Sequence, residues 1–221
     1  MKGPFRRFQG GARRWLESFI EQPPRIFRWL TAGEFRIGPK RKGEKAVYLT
    51  FDDGPIPEVT PWVLDTLDRY GVKATFFMVG ENVMRYPALF EEIRRRGHRV
   101  GNHTHHHLQG SGVTTRRYLR DVAEANALIG TDLFRPPHGW MRPRQAQALR
   151  GKYRIIMYDL VTRDYSRRTD AARVAENVRR YTRPGSIIVF HDSLRSIDKI
   201  RRALPESIEY LLAEGYEFRL L

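Results

Sequence analysis

From residue 46 to the end, short apolar runs alternate with longer amphipathic stretches, and this rhythm limits the fold more than any other feature. Runs of strand length occupy 46–51, 74–79, 99–102, 133–135, 154–158, 186–190 and 216–220. Between them, apolar residues recur at helical spacing over 59–70, 82–96, 115–130, 143–150, 170–181 and 198–213. Gly71, Gly97, Gly151 and Gly215 each follow a helical stretch, as C-terminal caps do. Strands separated by helices pair in parallel, because a parallel neighbour is reached only through a crossover connection. The pattern therefore predicts an α/β fold with a mainly parallel sheet of about seven strands. At 221 residues with 41% hydrophobic side chains there is core enough for one such unit, and no repeat or low-complexity tract interrupts it.

Polar residues gather where these strands end. Ala46–Leu49 leads into Thr50-Phe51-Asp52-Asp53-Gly54-Pro55. Neighbouring side chains of a strand point to opposite faces, but a turn at the exit lets both carboxylates face one cleft. Two carboxylates that close repel, so the pair calls for a metal, an arginine or both. A solvated Asp-Asp-Gly turn is the alternative. Four of the seven histidines fall in His103-Thr104-His105-His106-His107, after the strand at Arg99-Val100. On a helical turn His103 and His107 would share a face at a spacing of four. His106, three residues from His103, is a rival partner, and spacing leaves the choice open. Two histidines with one carboxylate make a catalytic type of metal site, with positions left to water. A closed structural zinc site commonly uses thiolates, and the chain has no cysteine. Three further exits carry Arg135-Pro136-Pro137-His138-Gly139-Trp140, then Asp159 with Thr162-Arg163-Asp164-Tyr165, then His191-Asp192-Ser193. Each has an ordinary reading as a surface charge, a cap or a satisfied histidine. Together they match an α/β barrel, which builds its active site from several strand ends.

The series TFDDGP, HTHHH, RPPHG, TRDY and VFHDS resembles the five ordered motifs of the polysaccharide deacetylase family, also called the NodB homology domain or carbohydrate esterase family 4. The resemblance runs from about residue 45 to the end and implies a distorted, incomplete (β/α) barrel. It places Asp52 as general base, and Asp53, His103 and His107 as metal ligands, which decides against His106. It places Arg135 as the partner of the base, His191 as general acid and Asp164 as the carboxylate that tunes it. The implied reaction removes an N-acetyl group from an amino sugar and releases acetate. The implied cofactor is a divalent ion, zinc first, with Co2+, Ni2+, Mn2+ or Fe2+ as alternatives. The chemistry agrees: an open-sided divalent ion activates water and polarises the carbonyl, while a base and an acid handle the protons. All seven expected positions are filled, which favours an enzyme over a catalytically silent saccharide-binding relative.

Departures from the family pattern bear on substrate. His138 stands where Tyr or Phe is usual, in a segment whose backbone N–H serves the oxyanion site. Tyr165 replaces the usual Trp, and Val189 replaces a larger aliphatic lining the acyl-methyl pocket. With Trp140, these are the candidate substrate contacts. The rival to a poly- or oligosaccharide substrate is a lipid-linked or precursor amino sugar carrying a formyl or acetyl group.

Residues 1–45 form a separate basic amphipathic segment, with twelve Lys and Arg against four Glu, a balance of +8 within the chain's +15. Trp15-Leu16 with Phe19-Ile20, and Ile26-Phe27 with Trp29-Leu30, make apolar stripes flanked by arginine. Such a segment either caps the barrel of 46–221 or contacts anionic lipid. No apolar run has the length of a signal-peptide core or a membrane span, so the expected location is cytoplasmic, on the inner membrane face if the segment binds lipid. No nucleic-acid motif accompanies the charge, and nucleic acid is not an expected partner. Each basic residue near an anionic surface contributes about 1 kcal/mol, so the lipid reading predicts that the full chain sediments with anionic vesicles at low salt and is released at high salt. A chain that stays in the supernatant at low salt has a structural cap.

Overall fold

The computed structural model describes residues 21–23, 33–39 and 41–221. The apolar stripes between Trp15 and Leu30 lie outside the described residues. Strand β1 (Ala46–Asp52) is followed by α1 (Thr60–Arg69), β2 (Thr75–Met78), α2 (Gly80–Arg85), α3 (Pro87–Arg95) and β3 (Arg99–Asn102). Then come α4 (Thr115–Ile129), β4 (Leu133–Phe134), α5 (Pro143–Leu149), β5 (Arg154–Ile155) and β6 (Leu160–Val161). Helix α6 (Ala171–Tyr181), β7 (Ile187–His191), α7 (Ile197–Ala213) and β8 (Glu217–Phe218) complete the chain. Seven strands run side by side in the order β5-β4-β3-β2-β1-β7-β6, and β8 pairs with the start of β1. Every named pairing is parallel, which gives the expected open, incomplete barrel.

Alternation along β1 separates two environments. Val47, Leu49 and Phe51 enter the main core, which holds Val63, Leu64 and Leu67 of α1 and Ile200, Leu204, Ile208 and Leu211 of α7. The opposite face carries Tyr48, Thr50 and Asp52, all buried, and this face meets the site. The expected helix over 82–96 is instead two helices, α2 and α3, broken at Tyr86. Pro87 has no N–H to continue the first ladder, and it opens the second helix at its first turn, where that loss is harmless.

The expected strand over 154–158 shortens to Arg154–Ile155, although Ile156 still bridges Glu34. The sequence pattern misses β6, whose two residues are too few to show a period. Gly71, Gly97 and Gly215 take left-handed backbone after their helices, as expected, and Gly151 does not. Residues ahead of position 46 are tied to the barrel: Glu34 pairs with Arg154, and buried Glu21 lies 3.3 Å from Arg163. Among the described residues, no helix is long and apolar enough to cross a membrane.

Candidate active site

Register brings the two prospective proton-transfer groups together. β1 and β7 pair so that Asp52 lies opposite His191 at the strand ends. Arg135, at the end of β4, reaches across the barrel interior to Asp52, with Nη1 donating to Oδ1 at 2.6 Å and to Thr50 Oγ1 at 2.8 Å. Its Nη2 donates to the Met157 carbonyl at 3.0 Å and Nε to the Ile156 carbonyl at 3.4 Å. The guanidinium lies 4.0 Å from the Phe77 ring centre. Gly101 leaves the room for that ring, since a Cβ there would come within 2.5 Å of it. Arg135 is only 2% exposed. Burial pulls the guanidinium below its usual value, and Asp52 opposes that pull.

The histidine-rich segment is an irregular loop, not the helical turn expected from the spacing of four. Left-handed backbone at Thr104 and His107, φ 66° and 51°, folds it back so that both histidines still converge. His107 Nε2 lies 3.3 Å from Asp53 Oδ1, and His103 Nε2 lies 4.0 Å from the same oxygen. Asp53, His103 and His107 together place ligand atoms within 4.8 Å of one another. His103 Nδ1 donates to the Arg135 carbonyl at 2.8 Å, which leaves Nε2 as the nitrogen that could ligate an ion. Burial is the main influence lowering the His103 pKa to about 4, so the imidazole is neutral, as a ligand must be. Burial pushes the Asp53 carboxyl up, but the His107 hydrogen bond and the charges of His191 and His103 hold it well below the usual range. This donor set fits a divalent ion. His106 turns away, with Nδ1 2.6 Å from Asp121 Oδ1.

His191 has the opposite electrostatics to His103. Its Nδ1 donates to Asp164 Oδ1 and its backbone N–H to Oδ2, both at 2.7 Å. Asp164 is fully buried. Burial lowers the imidazolium pKa, but Asp164 and, further off, Asp53 and Asp52 outweigh it and raise the value to about 10. The Tyr165 ring stands edge-on to His191 at 4.8 Å, and His138 meets His107 the same way at 4.9 Å.

A cavity of about 310 Å³ joins these groups. Asp52, Asp53, His103, His107, Arg135, His138, Tyr165, Val189 and His191 line it, and Asp164 stands directly behind His191. Trp140 is not in the lining and is 41% exposed. Tyr158, Met157, Val161, Ser193 and Arg195 also line the cavity and were given no role from the sequence.

Two supporting carboxylates were given no role from the sequence. Asp192 accepts from Gly54 N–H at 3.1 Å and from Thr60 Oγ1 at 2.6 Å, fixing the turn after the Asp pair. A Cβ at Gly54 would lie 2.0 Å from Asp192 Oδ2, so only glycine fits this contact. Burial raises the Asp192 pKa to about 8 against the Thr60 hydrogen bond. Asp121 accepts from the backbone N–H groups of His105 and His106 at 2.8 and 3.1 Å, and so shapes the ligand loop. Its signal was a carboxylate on the buried stripe of α4, beside Tyr118, Val122 and Ala125.

Residues 39–152 match the family model described as polysaccharide deacetylase, slightly more than half the chain. A peptidoglycan-N-acetylglucosamine deacetylase of Listeria monocytogenes is 35% identical over 81% of this chain, which spans only 39% of that relative's length. A chitooligosaccharide deacetylase of a Bradyrhizobium strain is 32% identical, over 81% of this chain and 90% of its own length. Among solved structures, a peptidoglycan N-acetylglucosamine deacetylase in complex with a naphthyl N-hydroxybenzamide superposes with a TM-score of 0.76 at 32% identity, covering 88% of this chain and 94% of its own. With the matched span carrying the Asp pair, the histidine loop and Arg135, the chain belongs to the polysaccharide deacetylase family.

Proposed function

We propose that the protein is a metal-dependent hydrolase that removes the N-acetyl group from an amino sugar in a poly- or oligosaccharide. The observation that carries this reading is the paired arrangement at the strand ends: Asp52 beside Arg135, His191 beside Asp164, and a three-donor metal site lining the same cavity. Asp53, His103 and His107 would hold the ion. A divalent ion supplies a more acidic water and polarises an acyl oxygen. Asp52 takes the proton of the attacking water, and Arg135 compensates the charge of that buried carboxylate. His191, protonated at neutral pH, gives its Nε2 proton to the nitrogen as the carbonyl–nitrogen bond breaks, so acetate and a free amine leave. Asp164 keeps Nδ1 protonated and fixes the ring. Val189 and Tyr165 form part of the wall against which the acyl group and sugar pack. Similarity to peptidoglycan and chitooligosaccharide deacetylases supports an N-acetylated glycan, and a lipid-linked amino sugar is the second substrate class to test.

Purified protein with added zinc, offered free, polymeric and lipid-linked acylated amino sugars, should release acetate and leave a product lighter by one acetyl group in mass spectrometry. Asp52→Asn should lower that rate by roughly 10²–10⁴-fold. No deacylated product from any member of the panel would overturn the proposal.

The elevated His191 pKa fixes the sign of a pH effect. The acid form persists from neutral pH upward and is lost as pH rises through about 10. In Asp164→Asn, burial acts against a weaker counter-charge, so the alkaline limb of kcat/KM should move to lower pH. An unmoved limb would remove Asp164 from the mechanism.

A further inference from the structure

We propose that His105, His106 and Glu124 form a second transition-metal site, separate from the cavity and opening to solvent. Ligand atoms of the three lie within 4.8 Å of one another. His105 Nε2 is 3.5 Å from Glu124 Oε1, and the two imidazole rings are 4.5 Å apart at 72°. None of the three lines the active-site cavity. The His106 and Glu124 side chains are 53% and 51% exposed, so an ion and its waters have access from outside.

The surroundings are those of a prepared site. Asp121 lies 2.6 Å from His106 Nδ1 and accepts from the backbone of both histidines, which leaves Nε2 as the nitrogen not engaged by that carboxylate. A carboxylate on the far nitrogen fixes a ligand imidazole's tautomer and raises its basicity. Glu124 follows Asp121 by three residues on α4, so both carboxylates share one helix face. His105 is buried, and its Nδ1 has no hydrogen-bond partner. That nitrogen packs against Gly80, where a Cβ would lie only 2.6 Å away. The ring is thereby boxed with Nε2 on the Glu124 side. Two imidazole nitrogens and one carboxylate oxygen favour zinc, nickel or copper over magnesium or calcium. His105 and His106 lie between His103 and His107, so an ion held there would clamp the loop that carries the active-site donors.

Zinc titration of the full chain, with bound metal counted after gel filtration, tests the proposal. The chain should take two equivalents of zinc, one held more tightly than the other. Glu124→Gln and His106→Ala, both at exposed positions, should weaken the second equivalent by at least about 10–100-fold, the loss expected even from an outer-shell change. They should keep the first equivalent and the deacetylation rate measured at one equivalent of zinc. His107→Ala should do the reverse, losing the tight equivalent and keeping the other, so the two sites fail separately. Binding of one equivalent at zinc excess, or two undiminished equivalents in both Glu124→Gln and His106→Ala, would overturn the second site.

Discussion

The structure turns on a single buried ion pair. Arg135 ties the ends of β1 and β4 to the segment after β5, and its guanidinium rests on a ring from β2. Its carbonyl also accepts from His103, so the same residue orients a candidate metal donor and offers a counter-charge to the neighbouring carboxylate. Burying two charges costs several kcal/mol per ion before pairing, and only good geometry with further hydrogen bonds repays it. Here Thr50, Ile156 and Met157 supply those bonds. The barrel interior at this level is therefore polar, and its packing depends on the pair.

Strain and supporting carboxylates surround that centre. Asp53, Thr104, His107 and His138 all have left-handed backbone, at φ 87°, 66°, 51° and 60°. Such conformations cost roughly 1–3 kcal/mol each outside glycine and persist only where neighbours over-determine them. The neighbours are identifiable. Asn82 donates to the Asp53 carbonyl at 2.8 Å, Asp192 fixes Gly54, Asn102 Oδ1 accepts from Thr104 N–H at 2.8 Å, and Asp121 holds the loop before His107. The two prospective proton-transfer groups sit in this frame with opposite partners, a cation for Asp52 and an anion for His191. That arrangement suits the base and acid roles proposed for them.

Much of this was legible in the sequence because parallel α/β folds write their topology as a rhythm and their sites at strand ends. Asp52, Asp53, His103, His107, Arg135 and His191 all stand at or just beyond such ends, and all line one cavity. What escaped was partly local and partly set by tertiary context. β6 is too short to have a period, and Pro87 splits a helix whose apolar stripe continues across the break. His103 and His107 converge through left-handed turns, which spacing cannot reveal. Asp192 stood inside a named motif without a visible role, because its partners, Gly54 and Thr60, are more than 130 positions away in the chain. Trp140 adjoins motif residues, yet the turn at Pro137–Gly139 leaves it outside the cavity lining.

The account depends most directly on Asp52 and Arg135 acting as one desolvated unit, and a double-mutant cycle measures that. Unfolding free energies by denaturant, with chelator present, would be compared for Arg135→Met, Asp52→Asn and the double variant. Breaking a buried pair from one side costs about 3–5 kcal/mol, so Arg135→Met alone should be severely destabilised. The double variant should be less destabilised than the two single effects together, by about 1–3 kcal/mol. Effects that simply add, to within about 0.5 kcal/mol, would contradict the account.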